Sequence, residues 1–382
     1  MPLQPGTQLG PYKILSPIIG SQVTAVSLLA CLASAALTLP GCGRPEQRLP
    51  DRPAGDIKAA EVRRTDDASY HVRWTVEPPG STVAVFASTD PANIPHAEPV
   101  AKTTEAEAIV SGLDPRQRYY FELVPEGGRG FASATRFVKL QGARNVRDLG
   151  GYETRDGRRV RWGNVFRSDE LTDLTDADVA LIGSMGIRVV CDLRRESRRE
   201  AVPDRLPAQN APAILNLDIS AATAGRQSAL IDWSDEGAEA QMAEGYALRI
   251  RSAGPLYGRM LDALIDPANR PFLFHCQGGK DRAGTGAALL LLALGVPEET
   301  VVEDYLLTNQ AYEQASFDLA ARAAELGVST TVMDVLRSAL PSFINTALHE
   351  IRAMSGSVDA YLGEEVGLTG EERDRLRAEL LH

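Results

Sequence analysis

From Ile57 to Lys139 the chain is a series of short runs in which apolar and polar positions alternate. Tyr70-His71-Val72-Arg73-Trp74-Thr75-Val76 keeps a period of two, and Val83-Ala84-Val85-Phe86 and Tyr119-Tyr120-Phe121-Glu122-Leu123-Val124 follow it. Pro-Gly, Asp-Pro and Gly-Gly pairs separate the runs. Half-buried strands divided by turns are what this pattern predicts, and strands this short and regular predict a small β-sandwich over 57–139. From Leu140 to His382 the rhythm changes. Short apolar runs, such as Val189-Val190-Cys191 and Pro271-Phe272-Leu273-Phe274, alternate with longer helical patterns. That alternation predicts an α/β region over 140–382, with a largely parallel central sheet flanked by helices.

A third pattern precedes both. Val23 to Leu39, VTAVSLLACLASAALTL, is apolar and uncharged, about the length of a signal-peptide core and short for a membrane span. Leu39-Pro40-Gly41-Cys42 follows and resembles a bacterial lipoprotein box, which implies lipidation of Cys42, although Pro40 replaces the usual small residue. A plain N-terminal anchor, or cleavage elsewhere by the general signal peptidase, are the alternatives. All three export the body of the protein, to the cell envelope in the lipoprotein reading. The leader is therefore placed at 1–42. The Pro- and charge-rich stretch 43–56, GRPEQRLPDRPAGD from Gly43, reads as a flexible tether.

Composition narrows the partners. The chain has 382 residues, 44% apolar and 24% charged, enough for two or three folded domains. Its net charge of −11 makes it a poor ligand for nucleic acid, so any phosphate recognition has to come from a local basic site. The four cysteines, Cys31, Cys42, Cys191 and Cys276, form no disulfide framework and no Cys/His zinc spacing. No metal and no cofactor is expected. His71 and His96 stand alone and read as surface histidines.

The chemistry concentrates at His275-Cys276-Gln277-Gly278-Gly279-Lys280-Asp281-Arg282. An apolar strand pattern leads into it, and a helix pattern rich in small residues, from Arg282 through Gly284 and Ala287 to Leu294, leads out. A strand, a tight Gly-bearing loop and a helix start aim backbone N–H groups and the positive end of the helix dipole at one point. Cys276 at that point would have its thiolate favoured, with Lys280 and Arg282 adding positive charge. A thiolate can attack phosphorus. Arg282 can hold two phosphate oxygens with its planar fork, which a lysine cannot. Gln277, Gly278, Gly279, Lys280, Ala283 and Gly284 complete the candidate phosphate-binding set.

The string HCxxGKDR resembles the phosphate-binding loop of the cysteine-dependent protein tyrosine phosphatases. Within them it is most similar to the bacterial tyrosine-phosphatase-like family with HCxxGKDRTG, some of whose members act on phosphoinositides. Asn145-Val146-Arg147-Asp148-Leu149-Gly150-Gly151-Tyr152 resembles that family's NFRDLGGY. Val165-Phe166-Arg167-Ser168-Asp169-Glu170-Leu171, Val190-Cys191-Asp192-Leu193-Arg194, Tyr305-Leu306-Leu307-Thr308-Asn309 and Gly356-Ser357-Val358-Asp359-Ala360-Tyr361-Leu362 resemble further ordered motifs. The resemblance implies a cysteine-phosphatase fold and phosphomonoester hydrolysis through a phosphocysteine on Cys276, without a metal. Phosphotyrosine protein is the first substrate expected. A phosphoinositide or inositol phosphate, or mere phospho-binding by a catalytically weak lipoprotein, are the alternatives. In the 57–139 region, Trp74 and Gly112-Leu113-Asp114-Pro115 leading into Tyr119-Tyr120 resemble a fibronectin type III domain, read as a spacer or docking module.

Several roles stay open at this level. The Trp-Pro-Asp acid loop of animal tyrosine phosphatases is absent, leaving Asp281 and Asp218 as candidate general acids, with Asp281 favoured. The family's hydroxyl after the arginine is Ala283 here, which predicts slow breakdown of the phosphoenzyme unless Thr285 or water compensates. Lys280 is expected to add charge at the mouth of the site. Arg147, Asp148, Arg167, Asp192 and Arg194 are expected to form a supporting ion-pair scaffold. His275 is expected to orient the loop. The run 194–200 carries both signs at helical spacing and reads as a solvated helix face, with contact of its basic residues to an anionic substrate as the alternative.

Overall fold

A computed structural model describes residues 54–65, 69–223, 233–313 and 318–382, with the backbone of a short hairpin near the start. The chain divides into two compact units, Met1–Arg52 and Pro53–His382. In the first unit, β1 (Gln8–Leu9) pairs antiparallel with β2 (Tyr12–Lys13). The apolar leader and Cys42 lie outside the described residues. Among the described residues, no helix is long and apolar enough to cross a membrane.

The second unit opens with two antiparallel sheets. β3 (Asp56–Arg64), β4 (Tyr70–Glu77) and β7 (Glu107–Val110) form one, in the order β3-β4-β7. β5 (Val83–Ser88), β6 (Ala101–Thr103), β8 (Tyr120–Pro125) and β9 (Phe131–Ala134) form the other, in the order β6-β5-β8-β9. Alternation along each strand sends every second residue inward. In β4 the buried positions are Tyr70, Val72, Trp74 and Val76. They join Val83, Val85, Phe121 and Leu123 of the second sheet in one cluster. The Tyr119 hydroxyl accepts the Asp114 N–H at 3.2 Å, tying the turn before β8 to the strand entry.

The rest of the unit is built on a five-stranded sheet. Its strands are β10 (Arg147–Asp148), β11 (Val165–Ser168), β12 (Val189–Asp192), β13 (Ala213–Asn216) and β14 (Phe272–His275), in the order β10-β11-β14-β12-β13. β10 runs antiparallel to β11, and the other three pairings are parallel. The central strand β14 is buried along its whole length, as its unbroken apolar sequence requires. Helices cover both faces. On one side α1 (Asp176–Ser184) packs with the cluster of Val138, Phe166, Val190 and Leu273. On the other, the cluster around Phe272 and Phe274 takes in α4 (Ala238–Ile265), α5 (Asp281–Leu294) and α9 (Pro341–Ser355). α5 is buried from Ala283 to Leu294. The small residues Ala283, Gly284, Gly286 and Ala287 let its first turns approach the sheet and the neighbouring helices closely.

The remaining helices frame the carboxyl end of the sheet and close the chain. α2 (Glu196–Ala201) and α3 (Ile219–Thr223) follow β12 and β13. α6 (Glu298–Glu313) follows α5, and α7 (Leu319–Leu326) and α8 (Thr330–Arg337) form a pair before α9. α10 (Val358–Glu364) and α11 (Gly370–Leu380) end the chain. The parallel strands β11, β12, β13 and β14 all end on one edge. There the loops after them meet, which is where an α/β sheet presents a ligand site.

Candidate active site

β14 ends at His275, Cys276 follows, and α5 begins at Asp281 without a side-chain cap, so its first-turn N–H groups are open to a ligand. The carbonyls of the intervening loop are nearly all spoken for by the scaffold. Gln277 O accepts the Glu170 N–H at 3.2 Å. Gly278 O accepts the Tyr312 hydroxyl, and Gly279 O accepts Arg167 Nη2 at 2.7 Å. Lys280 O lies 3.4 Å from the same nitrogen. In a trans peptide the N–H points opposite to the C=O. Turning these four carbonyls onto the scaffold therefore aims the N–H groups of Gly278, Gly279, Lys280 and Asp281 the other way, into one concavity. Gly279 makes this possible. Its φ is +64°, and a Cβ there would sit 2.7 Å from the backbone of Ser168 and Asp169.

Cys276 is 1% exposed. Its loop neighbours Gln277, Asp281 and Arg282 line two cavities, of about 370 and 610 Å³. Arg282 Nη1 lies 3.3 Å from both Leu193 O and Ser220 Oγ, weak contacts that leave its fork available to an anion. Arg195, Arg198 and Arg249 line the smaller cavity, and Arg144, Arg322 and Arg337 the larger. A chain of net charge −11 thus gathers guanidinium groups around one loop.

Beneath the loop is a buried ion cluster. Asp304 Oδ1 receives Arg147 Nε at 3.1 Å, and Oδ2 receives Arg167 Nη1 at 2.8 Å. Both arginines are fully buried, and Arg147 also donates to Asn145 Oδ1. Burial would raise the Asp304 carboxyl, but Arg147 and Arg167 outweigh it and hold it well below the usual carboxylate range. Burial and the neighbouring Arg147 pull the Arg167 guanidinium down to about 10, still charged at neutral pH. A second cluster supports His275. Its Nε2 lies 3.0 Å from Asp204 Oδ2, while Arg194 bridges Asp192 at 2.7 Å and Asp204 at 2.9 Å. Donor atoms of Asp192, Asp204 and His275 come within 4.8 Å of one another, close enough for a metal, but the Arg194 guanidinium already occupies both carboxylates.

The two candidate acids separate clearly. Asp281 lines both cavities, and its side chain is 31% exposed. It accepts the Tyr246 hydroxyl at 2.6 Å. Burial alone would raise its carboxyl, but Lys280, Arg249, Tyr246 and Arg282 together hold it below the ordinary carboxylate value. Asp218 lines neither cavity. Its oxygens accept the N–H groups of Glu196 at 3.2 Å and Ala221 at 3.0 Å, so it ties α2 to the first turn of α3.

Two expectations are corrected. Lys280 lines the larger cavity but is not an exposed charge at its mouth: it is 3% exposed, and its ammonium donates to Leu336 O at 2.6 Å and Ser338 O at 3.0 Å. Burial lowers its pKa, and its side chain braces the α8–α9 connection with the ammonium 3.7 Å from Asp281 Oδ1. The run 194–200 is not simply a solvated face. Arg194 is buried, Arg198 pairs with Glu170 at 2.7 Å, and Arg195 and Arg198 line the smaller cavity. Thr285, the hydroxyl nearest in sequence to Ala283, donates its Oγ1 to Asp281 O at 3.0 Å. Cys191 is buried on β12, and burial pushes its thiol up. The residues that sequence reasoning missed are Asp304, Arg249 and Tyr246. Asp304 precedes the Tyr305-Leu306-Leu307-Thr308-Asn309 motif, the one local signal that could have flagged it.

The Tyrosine phosphatase family model matches residues 138–382. A protein named a tyrosine-protein phosphatase, from Cupriavidus necator, is 34% identical over 223 residues, 57% of this chain and 80% of that protein. Triple specificity protein phosphatase PtpB from Mycobacterium tuberculosis is 28% identical over 283 residues, 64% of this chain and 98% of that protein. Among solved structures, the Siw14 catalytic core is similar at 14% identity and a TM-score of 0.26, over 50% of this chain and 95% of that one. A likeness that distant carries no argument about the site.

Replacing Asp304 with Asn should leave two buried guanidiniums without their carboxylate and cost about 3–5 kcal/mol in denaturant unfolding at pH 7. A carboxylate depressed in the folded state stabilises above its unfolded pKa of about 4 and loses that contribution as pH falls further. The gap between wild type and Asp304→Asn should therefore narrow below about pH 4. Equal unfolding midpoints at pH 7 would remove Asp304 from this role.

Proposed function

The chain belongs to the tyrosine phosphatase family, and from that premise we propose that it hydrolyses phosphomonoesters, phosphotyrosine in proteins first, through a phosphocysteine on Cys276. One observation carries the reading: the loop after Cys276 turns its carbonyls outward onto Arg167, Tyr312 and Glu170, which leaves its N–H groups and Arg282 to receive an oxyanion. The Cys276 thiolate attacks phosphorus in line while these donors hold the three non-bridging oxygens. The bond to the leaving oxygen breaks as Asp281 delivers its proton. Water then attacks the phosphocysteine, releasing inorganic phosphate and regenerating the thiolate.

Asp281 must be protonated for the first step, yet its cationic neighbours favour the carboxylate in the free site. An arriving phosphate dianion opposes those neighbours and draws the proton back. The pH dependence follows from that competition.

A second substrate reading, a phosphoinositide or inositol phosphate, has a specific observation in its favour. Arg195 makes no ion pair among the described residues, and Arg249 Nη1 is buried without a hydrogen-bond partner. Both border the smaller cavity beside Arg282, where a further phosphate on the substrate would meet them. A relative named a triple specificity phosphatase agrees with a broad substrate range.

The proposal also covers the rest of the chain. Residues 1–42 are taken as an export leader with lipidation at Cys42 and 43–56 as a tether, which would hold the enzyme at the cell envelope. Residues 57–139 are taken as a fibronectin type III-like sandwich, supported by buried Trp74 and the Tyr119–Asp114 bond, and 140–382 as the catalytic domain.

Hydrolysis of p-nitrophenyl phosphate in EDTA should proceed and be abolished in Cys276→Ser, with phosphotyrosyl peptide and inositol phosphates compared in the same assay. No turnover from well-folded wild type would instead favour a phospho-binding protein. The basic limb of kcat/KM should lie on the acid side of neutrality, and that of kcat at higher pH, because bound phosphate raises the Asp281 carboxyl. Asp281→Asn should lose that limb and Asp218→Asn keep it. A limb retained in Asp281→Asn would exclude Asp281 as the acid. Ala283→Thr should speed phosphoenzyme breakdown in single turnover by about tenfold, the worth of one hydrogen bond to the departing thiolate. Equal rates would show that another group already serves it.

A further inference from the structure

Arg118 belongs to the two-sheet region, and its guanidinium reaches across the seam to the phosphatase part of the chain. It is 6% exposed. Nη2 donates to Asp148 Oδ2 at 3.0 Å and to Thr135 O at 2.9 Å, Nη1 to Thr135 Oγ1 at 3.2 Å, and Nε to the Tyr120 hydroxyl at 3.1 Å. The group also lies 5.5 Å from the Phe166 ring of β11. Asp148 is fully buried and, among the described residues, otherwise accepts only from the N–H groups of Gly150 and Gly163, both at 2.8 Å. Among the described residues, Arg118 is the one cation paired with it.

Asp148 is half of the two-residue strand β10, and the other half is Arg147. Neighbouring residues of a strand face opposite ways. Asp148 therefore faces Arg118, while Arg147 faces Asp304, which holds Arg167, which holds the carbonyl of Gly279. The ladder is continuous as well. The segment leaving β9 pairs with the outer edge of β10, through Asp148 N to Arg136 O at 3.0 Å and Val138 N to Val146 O at 2.9 Å. Tyr120, Ala134 and Trp162 close the seam with a small apolar cluster.

We infer that the two-sheet region is a working part of the phosphatase, and that Arg118 is a positioning residue which fixes β10 and, through Arg147, Asp304 and Arg167, the phosphate-binding loop. This goes beyond the expectation of a spacer or docking module. A spacer needs no buried ion pair to its neighbour, and the cost of desolvating Arg118 and Asp148 is met only while the two regions are docked.

The test uses the full chain. Arg118→Met should weaken competitive inhibition by orthovanadate and lower kcat/KM for p-nitrophenyl phosphate together, each by about tenfold or more, at a temperature where the variant keeps the wild-type circular dichroism. Arg118→Lys, which keeps the charge, should recover part of both. A variant that is less stable but stays within twofold of wild type on both counts would overturn the inference and leave Arg118 a docking residue only. A second arm needs no substitution. Orthovanadate bound to wild type should slow amide exchange in β8 and β9 as well as in the loop, because coupling between two sites is reciprocal. Protection confined to 138–382 would equally overturn it. That arm needs only an anion seated at the loop, not turnover, so a failure of the phosphatase reading and a failure of this coupling are separate results.

Discussion

The site depends on one buried carboxylate. Asp304 keeps two guanidiniums, each fully removed from water, within hydrogen-bonding distance of one side chain. Without it, Arg147 and Arg167 would repel each other in a medium that screens poorly. With it, Arg167 is held where its Nη2 reaches the carbonyls of Gly279 and Lys280. The peptide groups of the loop are planar, so fixing their oxygens fixes their N–H groups. An anion site made of backbone is thereby oriented by a side-chain ion cluster on its far side, and no side chain other than Arg282 has to enter the seat.

How much of this could be read in advance follows from the range of the interactions. The strand before Cys276 and the helix after it are local: Phe272-Leu273-Phe274 and the small-residue run after Arg282 announce themselves within a few residues. The loop's chemistry was legible for the same reason. Asp304 was not, because in α6 it resembles any acidic helix residue, and its partners lie 157 and 137 positions away in sequence. Lys280 misled for the complementary reason. Its neighbours in sequence are the loop, but its neighbours in space are the carbonyls of Leu336 and Ser338, which the loop's sequence does not contain. The run 194–200 has a helix-face pattern that is real, since α2 buries none of its residues. The pattern cannot tell open solvent from the wall of a cavity.

The choice of cation at each buried position has a physical basis. Arg118, Arg147, Arg167 and Arg194 each bridge partners on different elements, which five donors in a rigid plane allow and a single ammonium does not. Where the chain uses lysine instead, at Lys280, two carbonyls of one short segment suffice, and the task is local bracing. A guanidinium also keeps its charge under desolvation that would neutralise an amine. Arg167 retains it even where burial and Arg147 both act against it. Arg167 and Asp304 therefore both stay charged through the neutral range.

That choice bears on how site and fold are related. A hydrophobic core tolerates small shifts, since its attractions are short-ranged but not directional. A buried ion cluster does not, because each bond lost leaves an unpaired charge. Placing such clusters directly beneath the loop and at the seam with the two-sheet region means that the loop reaches its working geometry only when sheet, α6 and seam are all assembled. The alternative, a loop shaped by its own sequence, would need only glycine and the helix start. Gly279 supplies the turn, but a glycine permits many conformations. Selecting one of them falls to Arg167 and Tyr312, whose positions are set by residues far from Cys276 in the chain.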